Sequence, residues 1–200
     1  PEDNLSFSGK IQGPGSVVLS GSGTQTFSGV STYTGSTTLS ESVTLVLSGS
    51  GSIEPSESVS LGPLTTLSIE NTSSGTTLQN LSGSGTIQRG NQILIVDTDQ
   101  DSTFSGTFTG SQGGLIKQGS STLTLTGTSS DYAGATTINE GTLRLGAENA
   151  LSTESLVTLA NTSSAILALG GFDTTIAGLA GGGSNTGGVN LEGATLTLET

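Results

Sequence analysis

The stretch STLTLTGTSSDYAGATTINEGTLRLG, residues 121–146, repeats an earlier one in the same chain, GTQTFSGVSTYTGSTTLSESVTLVLSG, residues 23–49. One residue is inserted before Tyr132 and one is lost after Glu140. Apolar residues keep their positions in both copies while Thr and Gly recur between them, which indicates a repeated structural unit. The matched positions are Thr24/Thr122, Thr26/Thr124, Phe27/Leu125, Gly29/Gly127, Tyr33/Tyr132, Gly35/Gly134, Thr37/Thr136, Leu39/Ile138, Glu41/Glu140, Thr44/Thr142, Leu45/Leu143 and Leu47/Leu145.

Short runs of the same kind occur along the whole chain. Each is about four to six residues long, often alternates apolar residues with Thr or Ser, and is bounded by Gly, Ser, Asn or Pro, which is typical of β-strands. We predict strands at 16–20, 24–28, 43–47, 58–61, 66–69, 86–89, 93–96, 103–108, 115–117, 122–126, 136–139, 142–145, 156–159, 165–169, 188–191 and 195–199. Within residues 146–155 the pattern predicts at most one helical turn.

The composition favours one all-β architecture, the β-solenoid, over sandwiches and barrels. Aromatic residues make up only 4% of the chain, fewer than a sandwich core usually contains. Stacked Leu, Ile and Val suit the narrow core of a solenoid. With about 20–25 residues per coil, the chain makes roughly eight to ten coils and a rod about 40–50 Å long. We therefore expect a single solenoid domain over residues 1–200.

The missing residue types and the charge exclude several function classes. Without Cys or His there is no disulfide, no zinc site of ordinary composition, no thiol nucleophile and no Ser-His-Asp triad. The 4 basic and 16 acidic residues give a net charge of −12, which predicts no nucleic-acid partner and no attraction to anionic lipid. No run approaches the ~18 consecutive apolar residues of a membrane span, so we expect no direct membrane insertion by this segment.

One stretch closely resembles a known repeat family. Residues 113–146, GGLIKQGSSTLTLTGTSSDYAGATTINEGTLRLG, contain a Gly-Leu-x-Lys start, Thr-Leu-Thr-Leu-x-Gly, a Tyr-x-Gly corner, Thr-x-Ile and Gly-Thr-Leu-x-Leu-Gly. This pattern resembles the autotransporter-associated β-strand repeat, also called the passenger-associated transport repeat. The likeness is strong over 101–199 and weaker over 14–61, which we take as the repeat units. Residues 1–13 are a candidate N-terminal cap.

The resemblance implies a fold, a location and a function. The implied fold is a right-handed parallel β-helix with three short strands per coil. The implied location is the cell surface of a Gram-negative bacterium, as part of a type V secreted passenger. Members of the family are mostly stalks and adhesins, so we expect a non-catalytic surface segment serving extension, display or adhesion. A host or matrix glycan or protein is the expected partner.

Two alternatives remain open at this point. The first is a self-assembling subunit that stacks end to end into an extracellular filament, because an open solenoid exposes strand edges at both ends. The second and more remote one is a polysaccharide lyase or hydrolase, since parallel β-helices often carry such enzymes. Ice binding through the Thr-x-Thr pairs is remote as well, because Val-rich and Gly-rich strands interrupt those pairs.

No catalytic site is predicted. The four basic residues are Lys10, Arg89, Lys117 and Arg144, and Lys117 and Arg144 lie at ordinary repeat positions, where we expect solvated strand residues. Glu41 and Glu140 are equivalent in the repeat and indicate a structural corner rather than a unique acid or base.

The strongest acidic motif is Asp97-Thr-Asp99-Gln-Asp101. Alternating carboxylates in a turn suit a hard cation, so Asp97, Asp99 and Asp101 are a candidate calcium site with a structural role. The motif lacks the Gly and the distal Glu of an EF-hand loop, and the alternative is a solvated turn whose Asp side chains bond backbone N–H groups. No other cofactor is expected.

Overall fold

The computed structural model describes residues 3–128, 132–183 and 187–199, and these contain strands and turns but no helix. The all-β prediction is confirmed. The strands are β1 (Asn4–Phe7), β2 (Gln12–Gly13), β3 (Val17–Leu19), β4 (Thr24–Phe27), β5 (Thr32–Tyr33), β6 (Thr37–Leu39), β7 (Thr44–Gly49), β8 (Val59–Leu61), β9 (Thr66–Thr72), β10 (Thr76–Gln79), β11 (Ser82–Gly83), β12 (Thr86–Gln88), β13 (Leu94–Asp97), β14 (Ser102–Phe104), β15 (Thr107–Thr109), β16 (Leu115–Gln118), β17 (Thr122–Leu125), β18 (Thr136–Ile138), β19 (Thr142–Leu145), β20 (Leu156–Leu159), β21 (Ile166–Ala168), β22 (Thr174–Ile176), β23 (Gly178–Gly181), β24 (Gly188–Asn190) and β25 (Leu196–Leu198).

These strands wind around three faces in a repeating order. The first face carries the sheet β1-β4-β7-β9-β12-β15 and, further along, the pair β22-β25. The second carries β2-β5 and then β10-β13-β16-β18-β20-β23. The third carries nine strands, β3-β6-β8-β11-β14-β17-β19-β21-β24, one for each coil. The fold is a parallel β-solenoid of about nine coils.

The coils are stacked in register at the predicted period. Neighbouring strands are parallel, and partners lie from 18 residues apart, as for Thr76 and Leu94, to 24 apart, as for Thr142 and Ile166. At about 4.8 Å per strand, nine coils make a rod roughly 40 Å long. Ladder bonds between coils thus run along the rod axis, and nearly all pairing is between residues about one coil apart.

The core consists of inward columns of aliphatic side chains. In β7, Leu45 and Leu47 are fully buried whereas Thr44 and Val46, which alternate with them, are half-buried, because successive strand residues point to opposite faces. In β19 the predicted inward residue Leu143 is 0% exposed. Its neighbour Thr142 is half-buried, so the predicted register is confirmed.

Several strand predictions were incomplete. The run 103–108 is two strands, β14 and β15, on different faces, because Ser105 and Gly106 form a corner between them. The helical turn allowed in 146–155 is wrong: the segment contains turns only, and Asn149 adopts a positive φ of 56°. The strands that the patterns missed are β1, β2, β5, β6, β10, β11, β22 and β23.

The residues proposed as an N-terminal cap lie in the first coil. β1 pairs with β4 and β2 pairs with β5 in regular register. The four residues of β1 are exposed, whereas Phe27, the partner of Phe7, is buried. A capping role for this coil stays a prediction.

The two copies of the repeat start on different faces. The first begins with β4 on the first face and the second with β17 on the third. Each copy passes its Tyr corner and a short Thr-rich strand, then returns to its starting face one coil later, with Thr24 beside Thr44 and Thr122 beside Thr142. The second copy is therefore rotated by one face, a third of a coil, relative to the first.

A sheet is also interrupted within or directly after each copy. On the second face, residues 50–58 contain only an isolated bridge at Ser52, so the sheet stops at β5 and restarts at β10. On the first face, the described residues of 126–135 and 146–155 carry no strand between β15 and β22. Within the described residues, only the third face carries a continuous sheet.

Candidate functional site

A buried chain of three hydroxyl groups replaces ladder contacts in the first repeat. The hydroxyl of Tyr33 shares a 2.5 Å hydrogen bond with Oγ1 of Thr37, and that hydroxyl donates to Oγ of Ser56 at 2.8 Å. Ser56 in turn donates to the carbonyl of Gly35 at 2.8 Å. All three side chains are about 1% exposed or less. Burial raises the pKa of Tyr33, so its phenol stays protonated at neutral pH.

The same chain recurs in the second repeat. Tyr132 bonds Thr136 at 2.7 Å, Thr136 bonds Ser155 at 2.8 Å, and Ser155 donates to the carbonyl of Gly134 at 2.9 Å. Burial again raises the pKa of the Tyr132 phenol. A buried hydroxyl without a partner would cost about 1–3 kcal/mol. In both repeats each of the three hydroxyl groups has a hydrogen-bond partner within the chain. Both tyrosines are inside the solenoid and present no surface to a glycan.

The Gly in each Tyr-x-Gly corner has a steric cause. A Cβ at Gly134 would collide with the carbonyl oxygen of Gly113 in the preceding coil, and one at Gly35 would lie 2.6 Å from the carbonyl oxygen of Gly15. Only a residue without Cβ allows the two backbones this approach.

The prediction that Lys117 is a solvated strand residue is wrong, because its side chain is completely buried. Its ammonium donates to the carbonyls of Gln118 at 2.7 Å, Gly119 at 2.7 Å and Glu140 at 3.1 Å, which uses all three protons. Burial lowers the pKa of Lys117 to about 8, partly offset by the nearby Asp97 and Glu140 carboxylates. Glu140 thus contributes its backbone carbonyl to the corner.

Arg89 is a second buried cation that sequence reasoning missed. Its guanidinium lies 4.5 Å from the ring centre of Tyr132 and 5.8 Å from that of Phe108, and Nη1 donates to the carbonyls of Gly113 and Gly114. Nε and Nη2 are buried and have no hydrogen-bond partner. Burial lowers the pKa of Arg89. The environment is apolar and sealed, which does not suit a site that must admit a substrate.

Sequence parity would have revealed both buried cations. Lys117 is two residues after the buried Leu115, and Arg89 is two residues after the buried Ile87. Residues of equal parity share a face of a strand. Arg144 has the opposite parity to Leu143; it is exposed and makes a bidentate ion pair with Glu192 at 2.8 and 2.6 Å, as the predicted outward position requires.

The three aspartates of the candidate calcium site are engaged separately with neighbouring coils. The structure gives these contacts: Asp97 Oδ2 accepts from Gln118 Nε2 at 3.0 Å, Asp99 Oδ1 from Asn80 Nδ2 at 2.6 Å, and Asp101 Oδ1 from the Thr122 N–H at 2.8 Å. Within residues 3–128, 132–183 and 187–199, no three Asp or Glu form a group that could hold a metal ion. The structure therefore does not bring the three carboxylates together, and calcium binding stays a prediction.

Asp99 lines a polar surface groove of about 510 Å³ together with Glu57, Ser58, Gln79, Asn80 and Gln100. Asn80 adopts a positive φ of 44° and joins three coils, because its amide donates to the carbonyl of Glu57 and to Asp99 and accepts from the Asp99 and Gln100 N–H groups. The groove contains no basic group, and its polar atoms serve the corner itself.

Exposed apolar side chains mark the two ends of the described stack. Leu5 and Phe7 in the first coil and Leu191 and Leu198 in the last are 42–59% exposed. They continue the inward columns, since Phe7 pairs with Phe27 and Leu198 with Ile176. These residues are core positions that have no further coil stacked on them in the described structure. Such exposure is expected at the end of any solenoid stack, whether stalk or filament subunit.

Comparison with known proteins bears on the repeat. The sequence profile of the passenger-associated transport repeat matches residues 12–41 and 115–145. The chain carries passenger-associated transport repeats. The predicted resemblance is confirmed, and the two matched segments contain Tyr33 and Tyr132 with their Thr partners. Each matched segment begins before the corresponding copy, 23–49 or 121–146, and ends within it.

A known autotransporter is similar in sequence to part of the chain. The chain is 45% identical over 114 residues to the adhesin BmaC autotransporter of Brucella suis biovar 1 (strain 1330), a match that covers 56% of this chain and 3% of the relative. The chain thus corresponds to a small part of that much longer protein. No solved structure matches the chain. Among the described residues there is no helix of the length and apolarity needed to span a membrane.

Proposed function

We propose that this chain is a non-catalytic segment of an autotransporter passenger at the surface of a Gram-negative bacterium, where it extends and displays the adhesive part of that passenger. The observation that carries the proposal is the 45% identity to an autotransporter adhesin. A continuous stack of about nine coils supports a role in extension, because each coil adds about 4.8 Å to a rod.

The chemistry of the chain supports a structural role. Arg89 and Lys117 are buried, and Arg144 is paired with Glu192, so three of the four basic residues are not free to bind an acidic sugar. Tyr33 and Tyr132 are buried as well. Most of the basic and tyrosine side chains that could contact an acidic sugar are thus committed to the fold.

Surface display tests the proposal directly. The 200 residues are inserted in frame into the stalk of an autotransporter passenger with an N-terminal epitope, and the passenger is produced in a laboratory Gram-negative strain. We expect the epitope and the inserted segment to be accessible to antibody on intact cells. The epitope should lie roughly 40 Å further from the outer membrane than in the parent passenger, as measured by super-resolution or electron microscopy.

A matched variant separates display from mere tolerance of the insert. Leu143→Asp in the inserted segment should reduce surface exposure, because it places a charge in the core, while Thr142→Asp should not. Retention of the folded segment inside the cell would contradict the proposal. So would release of products from polysaccharides by the purified chain, which would favour the enzyme alternative.

A further inference from the structure

Some strands of this solenoid have nearly the same sequence and the same inward residues. TLVL at 44–47, TLTL at 122–125 and TLRL at 142–145 have the same inward pair of leucines. A strand of one coil can therefore pair with strands other than its native neighbours at little cost in apolar burial. Register errors are the main competing states for such sequences.

Against this uniform background, two inward positions hold cations. Arg89 is two residues after Ile87, and Lys117 occupies the position that Leu19 has in the first repeat. The corresponding position of Arg89 in the preceding coil, Ile69, is apolar and fully buried. Apolar side chains evidently fit these columns, so packing does not require the cations.

Both cations cost free energy where they lie. Arg89 has two buried nitrogens without a partner, and no carboxylate bonds either cation within the described chain. Replacing a buried charge by an apolar residue of similar size is often neutral or stabilising. A stabilising role therefore does not explain them.

Each cation nevertheless has hydrogen-bond partners in another coil that only the native stacking supplies. Arg89 needs the carbonyls of Gly113 and Gly114 and the ring of Tyr132, which come from the next two coils. Lys117 takes two carbonyls, those of Gln118 and Gly119, from its own coil and the third, that of Glu140, from the next coil. In a shifted register Arg89 would lose all of these partners and Lys117 would lose the one from the next coil, and a buried charge with missing partners is strongly unfavourable.

We propose that Arg89 and Lys117 are register locks: they destabilise shifted stackings of the coils more than they destabilise the native one, and so specify the order in which the central coils pair. The inference concerns folding and is independent of where the protein acts.

A disulfide reports on this register. Oγ1 of Thr86 and Oγ1 of Thr107 lie 3.4 Å apart, and the two residues are partners in adjacent coils. Thr86→Cys and Thr107→Cys supply the only thiols in a chain without Cys, and their disulfide requires native proximity. Reduced protein is unfolded in urea, refolded by dilution, oxidised briefly, and the cross-linked monomer is quantified.

The test variant is Arg89→Met/Lys117→Met in this reporter background, and its control is Lys10→Met/Arg144→Met. The control removes the same number of charges from exposed positions. We expect the test variant to lose at least about twofold in cross-linked monomer, in favour of oligomers or uncross-linked monomer, while its native fraction melts at or above the temperature of the parent. The control should cross-link like the parent.

Every other outcome overturns the proposal. If the test variant refolds to the parent level of cross-linked monomer, the cations do not specify register. If it does not fold, or if its native fraction melts well below the parent, the cations are needed for stability rather than for specificity. The single variant Lys117→Met shows how much of the effect comes from Lys117 and how much from Arg89. An apolar residue is suitable there because Leu19 occupies the equivalent position in the first repeat.

Discussion

The first and second repeats form the same kind of corner with different hydrogen-bond donors. Both contain the buried Tyr–Thr–Ser chain, through Tyr33 in one and Tyr132 in the other. They differ one turn later, where the first repeat has one residue more. There Ser42 donates its N–H and its hydroxyl to the carbonyl of Gly21.

In the second repeat the shorter link contains Gly141, with a φ of 69°, and has no serine in that place. The equivalent carbonyl, that of Gly119, accepts instead from the ammonium of Lys117. Both repeats thus supply a hydrogen-bond donor to the same corner carbonyl, but the donor is a serine in the first repeat and a lysine in the second. A one-residue deletion in the link accompanies a lysine in the core.

The largest expected effect comes from the columns that both repeats share. Leu143→Asp places an unpaired charge at a fully buried position, and we expect the free energy of unfolding to fall by about 3–5 kcal/mol. Leu45→Asp, at the matched position of the first repeat, should cost a similar amount. Urea denaturation followed by circular dichroism measures both. Thr142→Asp is the control and should change stability little; equal losses for Leu143 and Thr142 would show that the inward register is wrong.

A smaller effect is expected from the tyrosines. Tyr33→Phe and Tyr132→Phe each leave the Thr hydroxyl of the buried chain without one of its partners, and we expect a loss of about 1–3 kcal/mol for either variant. Tyr→Leu should separate the repeats, because Tyr132 also lies against Arg89 and Tyr33 does not. A larger loss for Tyr132→Leu than for Tyr33→Leu would sharpen the comparison, and identical losses would remove the Arg89 contact from it.

The third effect depends on pH and is specific to the second repeat. The folded-state pKa of Lys117 is about 8, below its ordinary value of 10.5. Between these values the unfolded chain binds more protons, so the free energy of unfolding should rise with pH from about 8 toward 10. Above about pH 10 the tyrosines oppose this trend, since burial raises their pKa values in the folded protein.

Lys117→Met should remove this rise while retaining the tyrosine effect. Urea midpoints measured from about pH 7 to about pH 11 are the readout, and Leu19→Met, at the same position in the first repeat, is the matched control. A rise of equal slope in Lys117→Met would show that another group causes it.

The smallest effect is expected at the surface of the second repeat. Arg144 and Glu192 form an exposed ion pair, and such pairs contribute little because water and salt screen them. We expect Arg144→Gln to change the melting temperature by about 1 °C or less at physiological salt. A shift of many degrees in differential scanning calorimetry would mean that this pair helps to hold the last coils.

The sequence was sufficient for the fold because the solenoid is built from local alternation. Leu143 is identified as inward by its neighbours alone, and the coil period follows from the spacing of similar strands. Of the missed strands, β2 and β11 are only two residues long; pairing with a neighbouring coil defines them, and no local pattern does.

The site residues were harder to predict because their partners are distant. Nothing within a few residues of Tyr33 identifies Ser56 as part of its hydrogen-bonded chain, since the contact needs a full coil of chain. Lys117 was misassigned because charge was given more weight than strand parity. The rotation of the second repeat by one face also needed the structure, because the number of strands between the repeats decides it.

That rotation is the claim on which the comparison depends, and cross-linking tests it most directly. In the rotated arrangement Thr124 of β17 is the partner of Thr103 on the third face. An unrotated second repeat would place β17 on the first face, next to Thr109 of β15. Oxidation of Thr103→Cys/Thr124→Cys should give a cross-linked monomer in high yield, and Thr109→Cys/Thr124→Cys should give little. The reverse result would contradict the account.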